Sequence, residues 1–256
     1  MRAYLSAILL GTLLATPAKA LPLPDCAGPV VSASAKIQHV ERDGTLVLRD
    51  GRQAVLAGLR LPGADAPSSA VAAAAIQALS RLVLEGPLVL TSSAPQKDRY
   101  GRLRVQAFGK TWLQTELLAR GLARASVAPD RQECAPDFYE AETSARAARR
   151  GLWTLPQFAV RDALSLSAPA GSFQLVAGRV IAVARHDGRV FLDFRADYRK
   201  GFSATIAPAD RKPFDVMEPP LEELVGHRIR LRGIVESFSG RLEMALSSPR
   251  QVEMLD

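Results

Sequence analysis

Gly44-Thr-Leu-Val-Leu-Arg-Asp50-Gly51-Arg-Gln-Ala-Val-Leu-Ala-Gly-Leu59 reads as a β-hairpin. Thr45–Leu48 and Ala54–Leu59 are short apolar-rich runs of strand length. Asp50-Gly51 between them is a pair that accepts the positive φ angles of a tight turn. Outward from this hairpin, Val30–Val40 precedes it, and Leu88–Thr91 and Leu103–Phe108 follow as further strands. Ser68–Leu84 predicts a helix: it opens on serines that can cap it, runs through Ala-rich helix formers and stops at Gly86-Pro87. Leu113, Leu117, Leu118 and Leu122 share one face of a second helix. A third runs from about Pro136 through Glu142 and Arg146 to Gly151, which suits the left-handed position after a helix.

Residues 156–170 have weak periodicity and end Ser-Ala-Pro-Ala-Gly, so they are expected to link two domains, 21–155 and 171–256. The second is again β-rich. Phe173–Val183, Arg189–Phe194, Phe202–Ile206, Arg228–Val235 and Leu242–Leu246 give five strands, with a short helix at Leu221–Val225 before the fourth. That order fits a small Greek-key barrel of the OB type. The fold class is therefore mainly β with α, an α+β chain of two barrels.

The first residues read as an export signal. Arg2 is followed by an uncharged stretch, Ala3 to Thr16, and by Ala18-Lys19-Ala20, a small-x-small cleavage pattern. The apolar run is shorter than the roughly 20 residues of a spanning helix. Cleavage after Ala20 would leave 236 of the 256 residues, and losing Arg2 and Lys19 lowers the formal charge from +7 to +5. This surplus is compatible with a polyanionic partner without implying one. The periplasm or the cell exterior is the expected location. In an oxidising compartment the only two cysteines, Cys26 and Cys134, are expected to form a disulfide.

Further pieces carry a family resemblance: Leu56-Ala-Gly-Leu59, Pro62, Asp98-Arg-Tyr-Gly-Arg102, Trp112-Leu-Gln, Leu117-Leu-Ala-Arg-Gly-Leu-Ala123 and Glu142-x-x-Ala-Arg-x-Ala-x-x-Gly-Leu-Trp153. Each is weak alone, but their order and spacing over Gly44 to Trp153 resemble the thermonuclease, or staphylococcal nuclease-like, family. The resemblance implies a five-stranded OB barrel with three helices. It also implies a phosphodiesterase site in which two acidic side chains hold Ca²⁺, a glutamate positions water and two arginines grip phosphate.

This sequence departs from that pattern. In the gap-free register the first metal aspartate falls on Gly44, the first arginine on Val55, the second metal carboxylate on Arg60 and the glutamate on Gly63; only Arg102 is retained. A second register reads Arg60-Leu-Pro-Gly-Ala-Asp65-Ala-Pro67-Ser68 as the middle motif. It restores an arginine, Arg60, and one metal ligand, Asp65, at the cost of a five-residue insertion. Asp43, beside Gly44, is then a candidate displaced metal ligand or an ordinary turn residue. Neither register completes the site. Arg102, Arg60 and Arg99 are the candidate nucleic-acid contacts.

Beyond Gly171, Phe191, Phe194, Tyr198 and Phe202 are interleaved with Arg189, Arg195, Arg199 and Lys200. Stacking on single-stranded nucleic acid is one reading; alternation between a barrel core and solvent is the other. From Gly171 onward 13 Lys and Arg face 12 Asp and Glu, so no strong phosphate field is expected. His39, His186 and His227 lack metal-ligand spacing, and Trp112 and Trp153 are expected in the core. The leading functional expectation is a non-catalytic binding module for nucleic acid or an envelope partner, without a cofactor. The alternatives are a Ca²⁺-dependent nuclease with an atypical metal site and a structural protein–protein module.

Overall fold

The computed structural model describes residues 22–64, 69–197 and 201–256. The expected leader, Asp65 and Ser68, and Tyr198, Arg199 and Lys200 lie outside these described residues.

The first half rolls one sheet around an apolar core. Strands β1 (Val30–Ala35) and β2 (Ile37–Val40) are the expected first strand, interrupted at Lys36. β3 (Leu46–Leu48) and β4 (Gln53–Leu56) form the hairpin, and β6 (Leu88–Thr91) and β7 (Leu103–Phe108) complete the sheet. The order is β1-β6-β7-β4-β3-β2, with β4 and β7 parallel, so the path leaves β1 and returns to β2, its near-continuation. Leu46, Leu48, Leu88, Leu90 and Val105 fill the interior. The chain departs from the expected Ala54–Leu59 strand because Gly58 takes φ 80, and β5 (Leu59–Arg60) pairs instead with β8 (Arg124–Ala125). Helix α1 (Ala70–Leu84) starts where the Ser69 side chain accepts a hydrogen bond from the Ala72 N–H. Helix α2 (Leu113–Ala119) buries Leu113, Leu117 and Leu118. Helix α3 (Ala135–Ala147) ends earlier than expected, at Ala147; Arg149 takes φ 49 just after it, and Gly151 takes φ 53 two residues further on. Glycine is required at 151 both for that φ and because a Cβ there would run into the Gly121 carbonyl.

The second half repeats this strand order without a repeat in sequence. Its strands are β10 (Ser172–Arg179), β11 (Ala182–His186), β12 (Arg189–Asp193), β13 (Ser203–Ile206), β14 (Arg228–Phe238) and β15 (Arg241–Ala245). They run β11-β12-β13-β15-β14-β10, with β13 and β15 parallel. This is compatible with the small Greek-key barrel expected from sequence. Single 3-10 turns at Pro208–Asp210, Lys212–Val216 and Leu221–Leu224 stand where the first half has α1. A last strand, β16 (Val252–Met254), pairs with β14. The expected linker is not a bare tether. Phe158 and Ala163 are buried, and β9 (Arg161–Asp162) pairs in parallel with β10.

The two sheets share a buried boundary. Ala145, Leu152, Trp153 and Phe158 pack with Phe173 and Leu175 of β10. Beside them Glu142 of α3, with no exposed side-chain surface, meets Arg232 of β14, 2% exposed, at 3.0 Å. Arg232 also pairs with Glu253 and lies 3.8 Å from the centroid of the Tyr139 ring. Burial disfavours the Arg232 guanidinium, but the charges of Glu142 and Glu253 outweigh it and raise its pKa. Burial pushes the Tyr139 phenol up to about 12, and its hydroxyl donates to the Arg250 carbonyl at 2.7 Å.

Cys26 and Cys134 form the expected disulfide, with Cα atoms 5.2 Å apart. It closes a loop whose ends are 108 residues apart, contributing about 4.7 kcal/mol in the chain-entropy model. Thiol titration of the denatured, unreduced protein is expected to find no free thiol. The boundary yields a second prediction. Arg232→Met removes the cation shared by Glu142 and Glu253 and leaves buried Glu142 only Arg146, at 3.3 Å, so it should destabilise the chain by about 3 kcal/mol in urea unfolding. In the wild type, tryptophan fluorescence and far-ultraviolet circular dichroism should report one coincident transition; separated transitions would show that the sheets unfold independently.

Candidate phosphate and metal site

Arg102 sits at the end of the Asp98–Arg102 turn. The Asp98 carboxylate accepts the backbone N–H groups of Tyr100 at 2.9 Å and Arg102 at 3.0 Å, which closes the turn. The same carboxylate accepts Arg102 Nε–H at 2.8 Å. Arg102 Nη1 reaches across to the hairpin entry, donating to Thr45 Oγ1 at 3.0 Å and to Asp43 Oδ2 at 3.2 Å. Asp43 is itself fixed by the Thr45 N–H at 2.9 Å and by the Thr45 hydroxyl at 3.0 Å. One guanidinium is thus held by two carboxylates. A phosphate approaching Arg102 would meet that negative pair and have to displace part of it. The displaceable part is Asp43, whose side chain is 58% exposed, whereas that of Asp98 is 18% exposed.

The position of the expected first metal carboxylate is closed. Gly44 takes φ 89, and a Cβ built on it would overlap Cδ1 of Leu61. Any side chain at 44 would therefore need both a strained backbone and a different position for Leu61. Leu61 follows Arg60 directly, so the segment of the second expected metal ligand does approach Gly44, but with a methyl group. Arg60 itself is carried to the other sheet. It pairs with Arg124 through β5 and β8, its guanidinium lies 5.7 Å from the centroid of Phe173, and it lines a cleft of 450 Å³ between the sheets. Val55 is half-buried on β4 opposite Arg104, and Gly63 lies near the Arg42 carbonyl. Asp65 falls outside the described residues. Among the described residues no three His, Cys, Asp or Glu side chains are grouped to hold a metal ion.

The remaining candidates divide similarly. Arg99 stacks on Tyr100 at 4.8 Å on the outer side of the turn, and Tyr100 is 66% exposed. Phe194 and Phe202, read as possible stacking groups, belong to the second core, with centroids 5.6 Å apart; Phe191 stays half-buried at the surface. Trp112 and Trp153 are buried as expected. His186 and His227 pair with Asp187 and Asp256. Sequence reading missed Leu61 and Phe173, the two side chains that decide where Gly44 and Arg60 end up. Only the glycine at 44 hinted at the first.

Burial raises the Asp43 and Asp98 pKa values, but hydrogen bonds from Thr45 to the former and from Arg102 to the latter win, and both fall below 3.8. A depressed carboxylate contributes stability that is complete above 3.8 and disappears as pH falls through the folded value. Arg102→Ala should therefore raise both toward 3.8 in a carbon-detected NMR titration, Asp98 more than Asp43. Unmoved values would show that Arg102 does not hold these groups in solution.

Residues 56–155 match the family described as staphylococcal nuclease homologue. No curated protein matches the chain in a sequence search. The match spans β5 to α3, the Asp98–Arg102 turn and the Glu142 and Trp153 positions that the motifs single out. Residues 56–155 of this chain are therefore similar to the staphylococcal nuclease homologue family.

Proposed function

We propose that the chain is an exported, two-domain binding protein that keeps the fold of this family and has lost its phosphodiesterase chemistry. Hydrolysis would need carboxylates to hold a metal, a group to position water and cations for the added charge at phosphorus. The observation that carries the reading is Gly44 under Leu61, at the place of a metal carboxylate. Three substitutions in the gap-free register, Val55, Arg60 and Gly63, support it. Arg102 remains, but Asp43 and Asp98 already hold it. The leader pattern and the Cys26–Cys134 disulfide support export, since such bonds persist in oxidising compartments. What the protein binds is then a matter for surfaces other than the Arg102 turn.

Purified protein lacking residues 1–20 should not cleave denatured DNA or RNA in the presence of Ca²⁺ above the level of an Arg102→Ala control. Cleavage that depends on Ca²⁺ and vanishes in that control would overturn the proposal and favour a nuclease with an atypical metal site, with Asp43 as its first candidate ligand.

A further inference from the structure

β1 and β10 hold equivalent places in the two repeated strand orders, and they differ in what covers them. β10 pairs with β14 on one side and with β9 on the other, and six of its eight residues are buried. β1 pairs with β6 on one side. Among the described residues no other strand pairs with it, and only Ala35 of its six residues is buried. Val30 is 50% exposed, and Ala33 and Ser34 are exposed as well. In an antiparallel strand alternate residues direct their N–H and C=O groups away from the partner. The outer edge of β1 therefore offers backbone groups to a further strand.

This edge is also held in place. The Cys26–Cys134 disulfide ties the segment before it to the start of α3. Ala27 is buried, and its carbonyl accepts the Thr91 hydroxyl at 2.6 Å; the Pro29 carbonyl accepts the Ser92 N–H at 2.9 Å. A strand anchored in this way loses little further freedom when it pairs. Two register shifts against β6 coil it, which keeps the stretch available for pairing short.

Charge decides which partner suits an edge. Charged side chains keep like edges apart, and β11, at the end of the second sheet, carries Arg185 and His186. From Cys26 to Ala35 there is no charged residue, and β1 consists of Val, Ser and Ala. We infer that the outer edge of β1 pairs antiparallel with β1 of a second copy of this chain, about a two-fold axis, joining two first barrels through one sheet. Such a pairing presents the same patch from both copies and sets no like charges opposite each other. Lys36, next in the chain, falls at the Pro29 end of the other copy, away from its own counterpart. One short strand per copy is far less than a stable interface buries, so the dimer is weak. The assignment does not depend on the loss of nuclease chemistry, because it involves neither the Arg102 turn nor Gly44.

The test is sedimentation equilibrium of the chain lacking residues 1–20 between about 5 and 500 µM, with amide hydrogen exchange followed over the same range. The mass should rise from one chain toward two and stop there, because a two-fold pairing closes. Amides of residues 30–35 should exchange more slowly as the dimer forms. Ala33→Lys, at an exposed position where folding is not at stake, should raise the dissociation constant by about tenfold or more. Leu84→Lys, at a 69% exposed position on α1, should associate like the wild type. A single chain at every concentration, an assembly that grows past two chains, or one that Ala33→Lys leaves intact would each overturn the inference. Equal weakening by Leu84→Lys, or a dimer whose 30–35 amides exchange as in the monomer, would overturn it too. None of these outcomes bears on DNA hydrolysis, so the two proposals fail separately.

Discussion

The peptide of Ala125 is held between two buried side chains of opposite charge. Its N–H donates to Glu142 Oε1 at 2.9 Å, its carbonyl accepts Arg232 Nη1 at 3.1 Å, and the two side chains meet at 3.0 Å. An ion pair here does what a neighbouring strand would do, satisfying both backbone groups at the outer edge of β8. Such a pair adds little net stability, but removing Arg232 leaves Glu142 only Arg146, at 3.3 Å, and losing either partner leaves one buried group of the Ala125 peptide unsatisfied. It also fixes the orientation of the second sheet. With Arg232 anchored on α3, β10 brings Phe173 between Arg60 and Arg124, whose guanidinium lies 4.7 Å from the ring and donates to the Phe173 carbonyl at 2.7 Å. The cleft between the sheets, and the position of Arg60 in it, follow from that contact.

Most of the fold was legible because it is written locally. Asp50-Gly51, the apolar alternation of the strands, the leucine face of α2 and the serine cap of α1 depend on neighbours a few residues away. The repeated strand order was legible only as two separate β-rich runs, because the two halves use different residues and different connections, one long helix against three short turns. The joint was not legible at all. Glu142 and Arg232 lie 90 positions apart, and each in isolation reads as a surface charge on a helix or a strand. The expected linker looked weakly periodic because its apolar residues, Phe158 and Ala163, serve the shared boundary rather than one face of a regular element.

The site was half legible. The gap-free register put Gly44, Val55, Arg60 and Gly63 where chemistry would need charged groups, the second register kept Arg60 as an arginine and Asp65 as a metal ligand, and both retained Arg102. The direction of Arg60 and the engagement of Arg102 are tertiary facts. Arg60 turns to a ring supplied by residue 173, and Arg102 is shared between a turn carboxylate four residues before it and Asp43, 59 residues away. Both contacts engage arginines that a phosphate site would need free, which supports the proposed loss of hydrolysis. They leave the fold intact, as expected where packing and catalysis rest on different residues.

The central claim is that the first barrel no longer offers a metal a set of carboxylates. It is tested most directly by following the backbone amides of residues 43–45 and 60–68 by NMR while Ca²⁺ is added to millimolar levels. This window covers the Gly44–Leu61 contact and Asp65 together. Carboxylate sites of the weaker kinds hold Ca²⁺ with dissociation constants of about 10⁻⁴–10⁻³ M, so a surviving site would saturate within it. The proposed loss of the metal site predicts no saturable shift at these amides. Saturable shifts centred on Asp43 and Asp65, abolished by Asp43→Asn and Asp65→Asn, would contradict it.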